Sequence, residues 1–308
     1  MERWRIVKAF TLGPLLEAVI PKPGNVNRFA DFRDLSLYHF LFGNTAVLPV
    51  YYEAVETGEL VRKGIIMPNE AGIGELIKRA VSESRKIQDA NPNFGVITLS
   101  IPLMMGLAMA RNIMEGPEKA AMLIRESTVR DTMELYRAIR IANPKGIPSG
   151  VKYDVYSNDA FRELFRDGIN LWALAEMSCE RELIFCEWIN SYNLSYSTAD
   201  LLVEELKKHS LEEAVVRVFL RILSEKVDTL IARKAGAEEA KAVMERAKRA
   251  LRGEISLEEF DSFLREKGDL RNPGSIADIV AVATSLLVAA GLRVKVRNGK
   301  VFGVIGQP

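Results

Sequence analysis

Near its C-terminal end the chain carries IADIVAVATSLLVAA, Ile276 to Ala290, with one charge in it, Asp278. A segment apolar on every side has no face to offer to water, so as a helix it has to be surrounded. It predicts a buried central helix and, with it, enough other helices to cover it. Leu135, Tyr136, Ile139 and Ala142 recur on one face of a segment starting near Ser127. Phe161, Leu164, Phe165, Trp172, Ile184, Phe185 and Trp188 mark a long helical stretch from about Asn158 to Asn190, broken or bent at Gly168. Ser197-x-x-Asp200 reads as a capping box ahead of Leu201–Lys208. Leu211–Ala235 and Glu238–Arg252 read as amphipathic helices, and Ser256–Lys267 as another that stops at Gly268.

Strand signal is confined to Leu292–Ile305, where RVKV and VFGVI flank RNGK and Asn298-Gly299 suits a type I′ turn. The expected fold is all-α: one multi-helix globular domain, residues 1–308, with a small C-terminal β-hairpin at about 292–305. Asn143–Asp159, polar and holding Gly146, Pro148 and Gly150, is the best candidate for a boundary, or else a functional loop.

Charge narrows the partners. Lys plus Arg is 42 against 41 for Asp plus Glu, so the chain has no basic footprint for nucleic acid and any anion site is local. Cys179 and Cys186 stand seven apart in what reads as one helix, about 10 Å along its axis, too far for a disulfide. His39 and His209 cannot complete a typical zinc site even with both cysteines. MERWRIVKAF lacks the apolar core of a signal peptide, and Ile97–Ala110, with Ser100 and Pro102 in it, is too short to span a bilayer. The expectation is a reduced, soluble, cytoplasmic protein without a membrane or nucleic-acid partner, its oligomeric state open.

No Walker P-loop and no G-x-S-x-G elbow is present. Gly72-x-Gly74 reads as a helix-entry turn sooner than a phosphate loop. Four stretches carry more chemistry. In PKPGNVNRFADFRDLS, Pro21 to Ser36, Phe29 and Phe32 should bury part of the segment and draw Arg28, Asp31 and Asp34 inward. A helical turn would set Asp31 beside Asp34, a pair of hard oxygen ligands suited to Mg²⁺; a cap plus a surface salt bridge to Arg28 or Arg33 is the alternative. DANPNFG, Asp89 to Gly95, reads as a turn before an apolar helix, where backbone N–H groups can meet phosphate. Glu176, Glu180 and Glu187 would share one helix face with Trp172 and Leu183. In NPGSIAD, Asn272 to Asp278, the lone Asp278 needs a partner or a metal, or closes a capping box with Ser275.

PKPGNVNRFADFRDL, NPNFG, KYDV, CERELI, DTLIARK and NPGSIADIV, in that order, resemble the triphosphoribosyl-dephospho-CoA synthase family, most nearly its archaeal branch, from about Leu16 to Leu287. The resemblance implies a mostly helical, cytoplasmic transferase of prosthetic-group biosynthesis. It would join ATP to 3′-dephospho-CoA and release adenine, the 2′-hydroxyl attacking the anomeric carbon of the ATP ribose. It implies Mg²⁺ with the ATP. It assigns Asp31, Asp34 and Glu180 to metal binding or ribose chemistry, and Asn25, Arg28 and Asn91 to phosphate or ribose, with Arg233 and Lys234 as further anion contacts. Asp154 and Asp278 match family positions without an assigned role. Where bacterial members carry a glycine-asparagine-threonine-histidine-lysine-glycine motif, this chain has Ala90-Asn91-Pro92-Asn93-Phe94-Gly95. That departure leaves room for a related acceptor, another hydroxyl-bearing nucleotide or a pterin-type precursor, or for a non-catalytic nucleotide-binding helical protein.

Overall fold

The structure is a computed structural model and describes residues 1–306. Its helices run in chain order α1 (Arg3–Val19), α2 (Leu37–Ala46), α3 (Leu48–Arg62), α4 (Ile73–Ile87), α5 (Phe94–Met109), α6 (Gly116–Arg125), α7 (Val129–Ala142), α8 (Ala160–Asp167), α9 (Leu171–Ser178), α10 (Leu183–Ile189), α11 (Asn193–Leu206), α12 (Leu211–Glu225), α13 (Thr229–Ala235), α14 (Ala237–Leu251), α15 (Leu257–Arg265) and α16 (Gly274–Ala290). A hairpin of β1 (Leu292–Arg297) and β2 (Lys300–Ile305) follows. The fold is all-α, as expected. The chain forms two compact units, the first from Met1–Thr11 and Leu41–Tyr192, the second from Leu12–Phe40 and the residues from Asn193 onward. Asn143–Asp159 is therefore not a boundary; it is a loop inside the first unit.

In the first unit α5 is buried continuously from Val96 to Ala108 and packs against α3, α4 and α6. Glycines permit the close approach. A Cβ on Gly58 would stand 2.8 Å from Met105 Cα, and one on Gly106 2.6 Å from the Ala120 nitrogen. The Tyr192 hydroxyl donates to the Leu99 carbonyl, 2.9 Å away, near the interruption that Pro102 makes in α5. No helix among the described residues is long and apolar enough to cross a membrane.

In the second unit α16 is the central helix, its apolar residues covered by α11, α12 and α13, and α1 meets it where a Cβ on Gly13 would lie 2.5 Å from the Ser285 nitrogen. Burying its aliphatic side chains contributes about 1.5–3 kcal/mol each for the larger ones. The hairpin pairs Arg297 with Lys300 across Asn298 and Gly299, whose φ values of 49° and 74° are those of a type I′ turn.

Several helix limits differ from expectation. The stretch 158–190 is three helices, and residues 179–182 break it a second time. That break brings the Cα atoms of Cys179 and Cys186 to 4.4 Å and allows their disulfide, which a continuous helix excludes. The cysteines thus give no argument for a reducing compartment. Leu211–Ala235 is split by Lys226–Asp228, because Asp228 caps α13 with a hydrogen bond of 3.0 Å from the Ile231 nitrogen. Ser197 caps nothing: it lies inside α11 and donates to the Leu194 carbonyl.

Candidate active site

The Pro21–Ser36 segment is a frame with a charged edge. Asn27–Ala30 and Phe32–Leu35 are two successive tight turns, each closed by an antiparallel bridge. Asp31 and Asp34 are therefore not neighbours on a helical turn. Asp31 lies between the turns and accepts from the Leu37 nitrogen at 2.9 Å, capping α2; Asp34 is exposed with Arg33 3.9 Å away. Nor do the phenylalanines bury the segment. Phe29 is 74% exposed under the Arg28 guanidinium, and Phe32 stacks with Arg265. The turn's apolar residues have too little depth beneath them, and cations cover them instead.

Polar groups do the anchoring. Lys22 is wholly buried and pairs with Glu17 of α1 at 2.8 Å while donating to the Glu17 carbonyl. The Gly24 nitrogen donates to Asp261 at 2.7 Å, and Arg265 donates to the carbonyls of Asn25 and Asp31. The Asn25 amide donates to Asn272 Oδ1 at 2.9 Å, just before α16 begins. Arg28 forks the carboxylate of Glu212 at 2.5 and 2.9 Å.

At this end of α16 the unit gathers its buried charge. Ser275 is not a cap for Asp278; its hydroxyl contacts Thr229 Oγ1 and accepts from the Leu230 nitrogen. The cap is Asp228, buried, which accepts from the Ile276 nitrogen at 2.9 Å as well as from Ile231. One carboxylate thus closes the N-termini of both α13 and α16. Burial raises the Asp228 carboxyl to about 6 against these hydrogen bonds. Asp278 stands half-buried beside it. Its pKa is pushed well up by desolvation first, then by Glu17 and Asp228, with Arg233 opposing. Glu17 is raised by burial too, against Lys22. Lys234 is spent on Asp269, 3.0 Å away.

Among the predicted site residues of this unit, Asn25, Arg233 and Asp278 thus share the end of α16 with Glu17, Lys22 and Asp228. The last three escaped the sequence reading. Lys22 between two prolines and Asp228 immediately before Thr-Leu-Ile were the available signals, the second being an ordinary N-cap pattern.

The first unit holds Asn91, Asp154 and Glu180. Asn91 is half-buried in the turn before α5, where the N-cap is Asn93. Asp154 accepts from the nitrogens of Gly150 and Tyr156 at 2.8 and 2.9 Å, hydrogen bonds that lower its pKa and tie it to its own loop. Glu180 is exposed in the turn that the disulfide closes. The acidic stripe does not exist, because Glu176 ends in α9 bonded to the Trp172 indole and Glu187 is buried in α10. Gly72-x-Gly74 is occupied by protein: the Gly74 nitrogen donates to Asp131 at 3.0 Å.

A mostly helical unit with a polar turn frame and a raised carboxyl at a helix N-terminus has the groups for acid–base chemistry on a hydroxyl-bearing substrate. The comparisons define it further. Residues 3–297 match the family model described as CitG, ATP:dephospho-CoA triphosphoribosyl transferase, and the chain belongs to that family. It is a transferase that joins ATP to dephospho-CoA. A crystal structure from Archaeoglobus fulgidus, provisionally named a triphosphoribosyl-dephospho-CoA synthase, is similar at 27% identity and a TM-score of 0.61, over 82% of this chain and 99% of that one. No curated protein matches the chain.

Proposed function

We propose that the residues of the second unit around Pro21–Ser36 and the start of α16 carry the ribosyl transfer. The observation that supports this is the buried frame of Lys22, Asn25 and Asn27, which holds the Arg28–Asp34 edge in a fixed position while leaving its charges outward. Rigid backing with exposed carboxylates is what positioning of a highly charged substrate requires.

Departure of adenine builds positive charge on the ribose, and carboxylates held nearby stabilise it. Asp31 and Asp34 are assigned to the ATP ribose and triphosphate, and Asn25 to ribose. Arg28 reaches a phosphate by exchanging it for Glu212. Among the described residues no three His, Cys, Asp or Glu side chains are placed to hold a metal ion. Mg²⁺ is therefore proposed to come with the phosphates and to take one or two protein carboxylates, the mode it favours. The free oxygen of Asp31 and the exposed Asp34 fit that demand. Cytoplasmic location is the reading that ATP and dephospho-CoA support.

The test is adenine release from ATP, Mg²⁺ and dephospho-CoA, followed chromatographically. Asp31→Asn and Asp34→Asn are expected to lower kcat at least tenfold with the melting temperature unchanged. Near-normal turnover in both rejects this assignment.

A further inference from the structure

Two acceptor groups at the start of α16 have no donor. Asn25 is only 6% exposed and its Oδ1 has no partner, the amide nitrogen being used on Asn272. Among the described residues, none donates a hydrogen bond to the Asp278 carboxylate. Leaving the buried Asn25 oxygen unpaired is costly, and a bound molecule that supplies a hydrogen-bond donor removes the cost; the half-buried Asp278 carboxylate is open to the same molecule. An anion supplies none and would add repulsion. The charged groups acting on Asp278 are Glu17 from α1, Asp228 from the turn before α13 and Arg233 from α13. Its own helix has no other charge, and none from α11, α12 or β1 acts on it. The other two carboxylates are already satisfied, Glu17 by Lys22 and Asp228 by backbone nitrogens. Asp278 alone is left to meet a ligand.

One donor-bearing group that the reaction brings, beside those of ATP itself, is the acceptor ribose. With no 3′-phosphate, dephospho-CoA has two adjacent hydroxyls there. We propose that Asp278 takes the proton of the attacking 2′-hydroxyl while Asn25 Oδ1 receives the neighbouring 3′-hydroxyl, so that this pair both activates the acceptor and selects it against CoA. This rests on the reading that the second unit carries the transfer. The hydroxyl oxygen forms its bond to the anomeric carbon of the ATP ribose as the bond from that carbon to adenine breaks. The electron pair leaves on adenine. Adenine, leaving on the opposite face, takes a proton from water, and Asp278 gives the proton it has taken back to water, so the carboxylate is restored. A raised pKa suits a group that must both take and return a proton near neutrality. A 3′-phosphate would put negative charge against two acceptors and the carboxylates behind them, which is the basis of the selection.

The experiment compares wild type, Asp278→Asn, Asp278→Glu and Asn25→Ala. It reads kcat from pH 5 to 9, melting temperature, and the binding ratio of dephospho-CoA to CoA by calorimetry. Asp278→Asn is expected to lose about 10²–10⁴ in kcat, along with the acidic limb of the pH profile. Asp278→Glu should recover part of the rate with a shifted limb. Asn25→Ala should raise KM for dephospho-CoA and, like Asp278→Asn, shrink a binding preference of at least tenfold in the wild type. Turnover of Asp278→Asn within threefold of wild type and an unchanged pH profile overturn the proposal. So does equal binding of CoA and dephospho-CoA by the wild type. If Asp278→Asn does not fold, the Glu variant's pH limb and the Asn25→Ala binding ratio decide in its place. Normal Asp278→Asn turnover beside inactive Asp31 and Asp34 variants defeats this inference and leaves the site reading standing; the reverse pattern defeats the assignment of Asp31 and Asp34 alone.

Discussion

Each unit has a helix N-terminus closed by an aspartate from elsewhere in the chain, and the two closures differ in kind. In the first unit Asp131 accepts from the Gly74 nitrogen at the head of α4 and from the nitrogen and hydroxyl of Thr128, 2.9 and 2.8 Å away. Every oxygen has a donor and the arrangement is finished. In the second unit Asp228 closes α16 and α13 equally well, yet it does so beside Asp278 and Glu17. The first closure stabilises; the second also sets the charge of a neighbour that water and ligands can reach. A helix N-terminus capped by a carboxylate is thus a structural device unless another titratable group shares its surroundings.

Glycine gives the sharpest way to break the comparison. A Cβ on Gly74 would press on the backbone of Asp131, 2.6 Å from its carbonyl carbon, whereas one on Gly274 would meet the tip of Leu230 at 2.6 Å. Backbone cannot step aside and a leucine methyl can. Gly74→Ala is expected to cost more than about 3 kcal/mol in urea unfolding and Gly274→Ala about 1 kcal/mol or less. Equal costs would mean that the two helix entries are packed alike.

Asp228→Asn comes next. Its folded carboxyl titrates at about 6, above the ordinary 3.8. Between those values the unfolded chain has released this proton and the folded chain has kept it. The unfolded state binds fewer protons there, so stability falls as pH rises through that window and levels off above about 6. The contribution is about 3 kcal/mol at most. Asp228→Asn should flatten the decline between pH 4 and 6 in urea melts. Glu17 and Asp278, raised in the same direction, should keep it from vanishing. An unaltered slope would show that burial does not raise the Asp228 carboxyl and would erase the contrast with Asp131. Asp131→Ala should cost about 2 kcal/mol, the loss of a cap and of the buried Gly74 donor's partner, with kcat of the folded protein retained.

The same contrast explains how much was legible in sequence. Ile276–Ala290 and Asn298-Gly299 were readable because local pattern decides them: an all-apolar helix must be covered, and that dipeptide fits one hairpin turn. The breaks at 179–182 and 226–228 were not readable from periodicity. The first shows only in the approach of Cys179 to Cys186, and the second rests on a carboxylate that also serves a helix far along the chain. Asp278 was visible as a lone charge, but Glu17 and Asp228, which perturb it, come from other elements. Phe29 and Phe32 misled because apolar residues in a turn need depth to bury them, and here each ring stays at the surface with an arginine stacked on one face.

The smallest effect on stability should come from Arg28→Ala, and it tests whether the charged edge of this unit is as finished as the Asp131 closure. The pair with Glu212 is about one-third exposed on both sides, and the stacked Phe29 is open to water. Solvent screens such a fork, so its loss should cost about 1 kcal/mol or less and matter less still in high salt. If the fork is only structural, KM for ATP stays where it was. If Arg28 exchanges Glu212 for a phosphate, the variant's KM for ATP rises several-fold while its melting temperature barely moves. Glu212→Gln should then do the opposite to KM, because it weakens the competitor and keeps the cation. A rise in both variants would mean that the ion pair itself holds the turn, and the edge would belong with the frame instead of the substrate.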